Sequence, residues 1–236
     1  MRKLTFGSLG VAGLLTALAP AAQAQVRYIE QPKGLLGLYG TVARPVGEFQ
    51  QFVDWGGGLG INGVVHFGEQ RTLGLRFEGS MLIYGHERYS TPISPWVSRV
   101  WVDVKTDNMI FGLGAGPQLT FGHGPLRPYV FGTAGFSYFA TISSVSGTAY
   151  DNDFASSTNF DDYALALSAG GGFLIQLSGG KHPVMLDLSA QSTYNGEVDY
   201  LTRGDIVENF DGSLTLFPIR SEANLVTFRM GVAIGL

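Results

Sequence analysis

The chain has 236 residues, no cysteine, 34 glycines and only 14 % charged residues, with 15 Lys and Arg against 19 Asp and Glu for a net charge of −4. This acidic balance, with no Lys/Arg-rich segment, argues against nucleic acid as a partner, and the lack of cysteine rules out disulfides and thiolate metal sites. Scarce charge with abundant glycine fits a β protein in lipid better than a soluble enzyme, whose surface would carry more charge.

In chain order, Arg2 and Lys3 precede an apolar run from Leu4 to about Leu18, followed by Pro20 and Ala22-Gln23-Ala24. A positive start, a short apolar core and an A-x-A site predict a secretory signal peptide over 1–24, cleaved before Gln25. No Cys follows the site, so lipoprotein processing is not expected. Residues 25–33 then form a short periplasmic lead, and 34–236 one barrel domain.

The first strand is predicted over about Gly34–Arg44, with Leu36, Leu38, Gly40 and Val42 on one face and Gly37, Tyr39, Thr41 and Ala43 on the other. The second, about Gly57–Phe67, sends Leu59, Ile61, Val65 and Phe67 outward and Asn62 and His66 inward. The third, Arg71–Tyr84, separates Leu73, Leu75, Phe77, Met81 and Ile83 from Arg76, Glu78 and Ser80. Its connection to the next strand runs from Gly85 to Asn108, where a slip of parity near Thr106–Asn108 predicts a bulge or a protruding hairpin. Strand four (Met109–Phe121) turns Gly112, Gly114 and Gly116 inward, and strand five (Arg127–Thr141) points Val130, Ala134, Phe136 and Tyr138 outward. A polar run, Ser143–Asp162, reads as a loop before strand six (Tyr163–Leu177). Strand seven (Val184–Tyr194) opposes Leu186 and Leu188 to Asp187, Ser189 and Gln191, and Gly196–Arg220 is the last long loop.

The closing strand has the clearest pattern. Val226, Phe228, Met230, Val232, Ile234 and Leu236 share one parity, against Thr227, Arg229, Gly231, Ala233 and Gly235 on the other. Successive strand residues face opposite sides, so an apolar face backed by small residues predicts lipid outside and a crowded interior. Connections alternate long and short, as in barrels with short periplasmic turns and long external loops. The expected fold is therefore all-β: an eight-stranded antiparallel up-and-down transmembrane β-barrel with both ends in the periplasm. Tyr28, Tyr39, Tyr84, Trp101, Tyr129, Tyr138, Tyr163 and Tyr194 fall near predicted strand ends and suggest aromatic girdles. Arg76, Glu78, Asp187 and Arg229 form a charge-balanced interior network, with Asp187 and Arg229 on neighbouring strands as candidate partners. Eight strands leave an interior just filled by side chains, so conductance should be small or absent.

The signal peptide, the "RPVGEF" run (Arg44–Phe49), "LRPYVFGTAGFSY" (Leu126–Tyr138) and the closing "LVTFRMGVAIGL" together resemble the small outer-membrane β-barrel families, the porin-family and OmpA-like transmembrane domains of Gram-negative bacteria. The resemblance implies insertion by the barrel assembly machinery, which reads an alternating C-terminal strand usually ending in Phe, where this chain has Leu236. It implies a cell outer-membrane location, surrounding lipid and lipopolysaccharide, and external loops that present a surface to a ligand. The peptidoglycan-binding domain of OmpA-type proteins is not carried over.

No motif predicts catalysis, a cofactor or a metal site. Gly58-Leu59-Gly60-Ile61-Asn62-Gly63 spells G-x-G-x-x-G, but Val64-Val65-His66-Phe67 continues a strand where a dinucleotide site needs a helix. Gly179-Gly180-Lys181 is followed by His182 where a P-loop needs Ser/Thr. His66, His86, His123 and His182 do not cluster. Tyr150-Asp151-Asn152-Asp153, with Asp161 and Asp162, offers oxygen ligands for a hard cation, though without EF-hand spacing. His86, Glu87, Ser90 and nearby Ser98 supply the residue types of a lipid A-modifying enzyme, the reading held as an alternative beside a narrow solute channel.

Overall fold

A computed structural model describes residues 31–94, 97–147, 150–202, 204–209 and 214–236. The expected signal peptide, most of the lead (25–30) and Tyr28 lie outside the described residues. The strands are β1 (Gly34–Pro45), β2 (Gly56–Phe67), β3 (Leu73–Ser94), β4 (Val97–Thr120), β5 (Leu126–Gly147), β6 (Tyr150–Gln176), β7 (Val184–Asn195), β8 (Glu197–Tyr200), β9 (Ile206–Glu208), β10 (Leu214–Leu216), β11 (Ile219–Glu222) and β12 (Leu225–Gly235). Eight of them close into an antiparallel barrel in the order β1-β12-β7-β6-β5-β4-β3-β2, and β8–β11 pair among themselves in the last connection. The seam that closes the barrel joins the first strand to the last, with Leu36 opposite Ile234 and Thr41 opposite Arg229. No helix among the described residues is long and apolar enough to cross a membrane.

Two of the expected loops are strands. β3–β4 and β5–β6 continue as paired hairpins through 85–108 and 142–162, with pairs such as Arg88 to Lys105 and Ser144 to Ser156. The reason is chemical: segments rich in polar residues lose much of the apolar alternation that marks a strand, yet still pair by backbone. The predicted irregularity is present as a register shift between Ile83 and Gly85, which leaves Tyr84 as the extra residue on β3. On the other side of the barrel, the connections β2–β3, β4–β5 and β6–β7 are tight turns, with Gly68, Gly122 and Gly180 at positive φ.

The strand faces follow parity. Outward residues form an apolar band in which Leu38 is 63 % exposed, Leu165 67 % and Met230 65 %. On β12, Phe228, Val232 and Ile234 are also exposed, as is Leu236 just beyond it, while Val226 is half-buried. The aromatic assignments divide. Tyr163 and Tyr194 are exposed at the long-loop rim, whereas Tyr39, Tyr84 and Tyr129 are buried in the barrel, a correction to the girdle reading. Their nearness to strand ends was a weaker guide than Cβ direction, which alternates strictly and turns these three inward. The Trp101 side chain lies outside the described residues. Inside, Leu35, Val64, Leu174 and Met185 pack the short-turn end, and Leu82, Ile110, Phe139 and Leu225 the long-loop end. Polar and charged side chains occupy the level between.

Candidate functional site

The middle level is organised around one carboxylate. Glu78 Oε2 accepts from Arg76 Nε at 3.1 Å and from Arg229 Nη1 at 3.0 Å, while Oε1 accepts from Thr133 Oγ1 at 3.1 Å and Gln191 Nε2 at 3.2 Å. These donors come from β3, β12, β5 and β7, so a single side chain ties four strands across the barrel axis. Both guanidiniums also lie over rings: Arg76 over Phe131 at 4.3 Å, and Arg229 over Tyr39 at 4.7 Å. Cations placed over ring faces gain from the quadrupole, most where water is excluded.

Asp187 is inward as well, but its hydrogen bond is from Tyr129 Oη at 2.5 Å, and Arg229 reaches Glu78 instead. The β7–β12 register sets Asp187 opposite Gly231 and Arg229 opposite Ser189, so the two are offset along the strands. Glu78 meets the longer arginine near the axis, and the short Asp187 side chain stays with Tyr129. Below this level, Arg76 Nη1 donates to Gln118 Oε1 at 3.0 Å, Gln118 to Thr120, and His66 bridges Thr120 and the Pro32 carbonyl of the lead. His66 is a structural link in this chain of bonds. Gly58–Gly63 lies wholly inside β2, so the glycine motif is strand and not a phosphate cradle.

Among the described residues, those of the long β3–β4 hairpin do not assemble into a nucleophilic site. His86 Nδ1 contacts Asp107 Oδ1 at 2.6 Å, but Ser90 donates to Asp103, whose other oxygen accepts from Arg88 Nη2 at 2.7 Å. His86 and Ser90 stand four positions apart on one strand, about 13 Å at the usual rise, and Glu87 has the opposite parity. The Ser98 side chain and those of Asp151 and Asp153 lie outside the described residues. Asp162 accepts from the backbone N–H groups of Tyr163 and Asp199, which fastens β8 to β6. Among the described residues, no group of three or more His, Asp or Glu side chains could share a metal ion.

The Arg88 hydrogen bond, then that of Ser90, holds the Asp103 carboxyl below its ordinary value. A depressed folded pKa stabilises the hairpin above the unfolded value of about 3.9, and that support is lost as pH falls through the folded pKa. Carboxyl NMR titration should place the Asp103 midpoint below that value, and Arg88→Ala should raise it. A midpoint unchanged by the substitution would remove Arg88 as the cause.

Sequence reasoning missed Tyr129 as the partner of Asp187, though its odd parity, shared with Arg127 and Phe131 and opposed to Val130, already turned it inward. It also missed an aromatic cap over the long-loop end, where the Phe49 ring stands 4.9 Å from Tyr200, 5.5 Å from Tyr84 and 6.5 Å from Phe139. Phe49 sits in the connection from β1 to β2, on a three-residue 3-10 turn with no periodic pattern to mark it.

No protein-family model and no curated protein sequence matches the chain. Solved structures do. Neisserial surface protein A aligns at 14 % identity and TM-score 0.47, covering 86 % of this chain and 97 % of its own. The attachment invasion locus protein Ail of Yersinia pestis aligns at 10 % identity and TM-score 0.49, over 87 % and 99 %. The outer membrane protein OprG of Pseudomonas aeruginosa aligns at 14 % identity and TM-score 0.39, over 88 % and 97 %.

Proposed function

We propose that the chain is an outer-membrane barrel of a Gram-negative bacterium that acts through its external sheet and loops, as a structural or surface-interaction protein. The observation that carries this is the outward apolar band closed fully around the barrel, with tight turns at one rim and long hairpins at the other. So much contiguous apolar surface would drive association in water, and a hydrocarbon layer covers it. β12 then offers its alternating face to the assembly machinery, and lipid and lipopolysaccharide surround the band. The polar hairpins of β3–β4 and β5–β6, with β8–β11, present the surface available to a ligand.

The chain lacks cysteine, so orientation can be read by single thiols. In intact cells a membrane-impermeant maleimide should label His86→Cys and leave Lys181→Cys unlabelled until the outer membrane is opened. Equal labelling of both in intact cells, or of neither, would overturn the reading.

A further inference from the structure

Between the Glu78 hub and the aromatic cap the barrel holds a cavity of about 60 Å³. Its wall carries four buried side chains with a polar atom that has no partner among the described residues: Tyr39 Oη, Thr41 Oγ1, Gln191 Oε1 and Arg229 Nε. Each of these residues is more than nine-tenths buried, at 3 %, 8 %, 4 % and 7 % exposure. Buried polar groups are normally satisfied, and leaving one unmade costs its desolvation, so four on one cavity mark a place for a hydrogen-bonding guest. The ceiling is different: Leu82, Ile110 and Leu225 are apolar, and above them Phe49 is fully buried among Tyr84, Phe139 and Tyr200.

We propose that this cavity is a binding pocket for a small uncharged polar molecule, entered from the long-loop end by lifting the Phe49 turn. The charge balance selects against ions, because Arg76 and Arg229 are already matched by Glu78 and Asp187. The free groups require both chemistries in one guest: an acceptor for the Arg229 N–H and the two hydroxyls, and a donor for the Gln191 oxygen. A primary amide or a urea has both. The volume allows a few heavy atoms, or about four waters when no guest is present.

The cap is built to move. Its turn is held within itself by Gln51 N to Glu48 O at 3.0 Å and Phe52 N to Phe49 O at 3.1 Å. Gly47 precedes it at φ +67°, and Gly56-Gly57-Gly58 follow the connection, so both flanks can absorb backbone rotation. Two bonds moor it to the last connection, Val46 N to Asn224 O at 3.0 Å and Glu222 N to Glu48 Oε2 at 3.4 Å. Phe49 itself has no polar atom, so lifting it breaks no side-chain hydrogen bond.

Thr41→Cys puts a lone thiol on the cavity wall without breaking a bond of the Thr41 hydroxyl. The folded protein in detergent micelles has both mouths in solvent, so this test does not depend on the orientation proposed above. Methyl methanethiosulfonate should modify Thr41→Cys at least tenfold more slowly than Lys181→Cys on an exposed turn. Adding Phe49→Ala should accelerate the cavity thiol at least tenfold; Phe49→Leu should do so by less and serves if the Ala variant does not fold. In the opened variant, 0.2 M urea should slow modification at least threefold while 0.2 M acetate leaves it unchanged, with Lys181→Cys indifferent to both. Equal rates with and without the Phe49 substitution would overturn the entrance. Failure of urea to protect, or equal protection by acetate, would overturn the guest.

Discussion

Glu78→Ala should lower the stability of the folded barrel by about 3–5 kcal/mol, the cost of breaking a buried ion pair by removing one partner. The loss should fall at the upper end, because one carboxylate serves two guanidiniums whose side chains are 2 % and 6 % exposed. Without it, Arg76 and Arg229 face each other across the axis with only Asp187 to balance them, and Thr133 and Gln191 lose their acceptor. Glu78→Gln keeps an acceptor but loses the charge, so its cost should be intermediate. Glu78→Leu with Arg229→Leu removes one charge of each sign and leaves Arg76 with Asp187. That double variant should recover at least half of the loss, since an apolar pair can replace a buried ion pair at little cost. Lys181→Ala, on an exposed short turn, should stay within about 0.5 kcal/mol of the parent. Urea midpoints read from the folded and unfolded gel bands decide the matter. A Glu78→Ala protein that unfolds at the parental midpoint would mean the hub contributes nothing.

The contrast between Glu78 and Phe49 shows how far the residues alone carry the site. Parity placed Arg76 and Glu78 on one inward face, Asp187 and Arg229 on others, and the total charge at zero. It assigns each side chain a face and a height on its own strand. It gives no position around the barrel axis, so it could not choose between Glu78 and Asp187 as the partner of Arg229. The same parity turned Tyr39, Tyr84 and Tyr129 inward, and only a looser rule about strand ends drew them to the girdle. Closure and strand count were legible because a continuous apolar outer face makes alternation strict. Above the band the hairpins of β3–β6 are rich in polar residues and alternation fades, so 142–162 passed for a loop, while the parity slip in 85–108 left only the choice of a bulge or a protruding hairpin. Phe49 lies in a connection where no period applies, and only the assembled barrel brings its ring under Tyr200. The cavity, likewise, is a property of side chains from separate strands and has no local sign.

Gly135→Ala should be the most damaging single methyl in the barrel wall, at about 3 kcal/mol or more, the high end of overpacking. A Cβ built at Gly135 would lie 1.9 Å from the Leu113 carbonyl oxygen and 2.7 Å from the Gly114 Cα, both backbone atoms of the neighbouring strand. Gly114 is the register partner of Gly135, so relief requires β4 and β5 to part or shift at that pair. Neither is cheap, because the ladder bonds around it hold the barrel closed. Curvature is the cause: closing a sheet on eight strands crowds its inner face and opens its outer one. Gly58, also inward, tells the same story, with Met81 O 1.9 Å from its would-be Cβ. The outward Gly132 does not. At Gly132, three residues from Gly135 on the same strand, the nearest atom to an added Cβ is Ser168 O at 3.7 Å, an ordinary contact. Gly132→Ala should therefore be neutral or stabilise by about 0.4–1 kcal/mol, through the smaller entropy of the unfolded chain. The two substitutions add the same methyl to one strand and differ only in the face they occupy. Urea midpoints that move down for Gly135→Ala and hold or rise for Gly132→Ala would locate the crowding inside the barrel. Equal midpoints for the two would mean that curvature does not govern where this wall accepts a side chain.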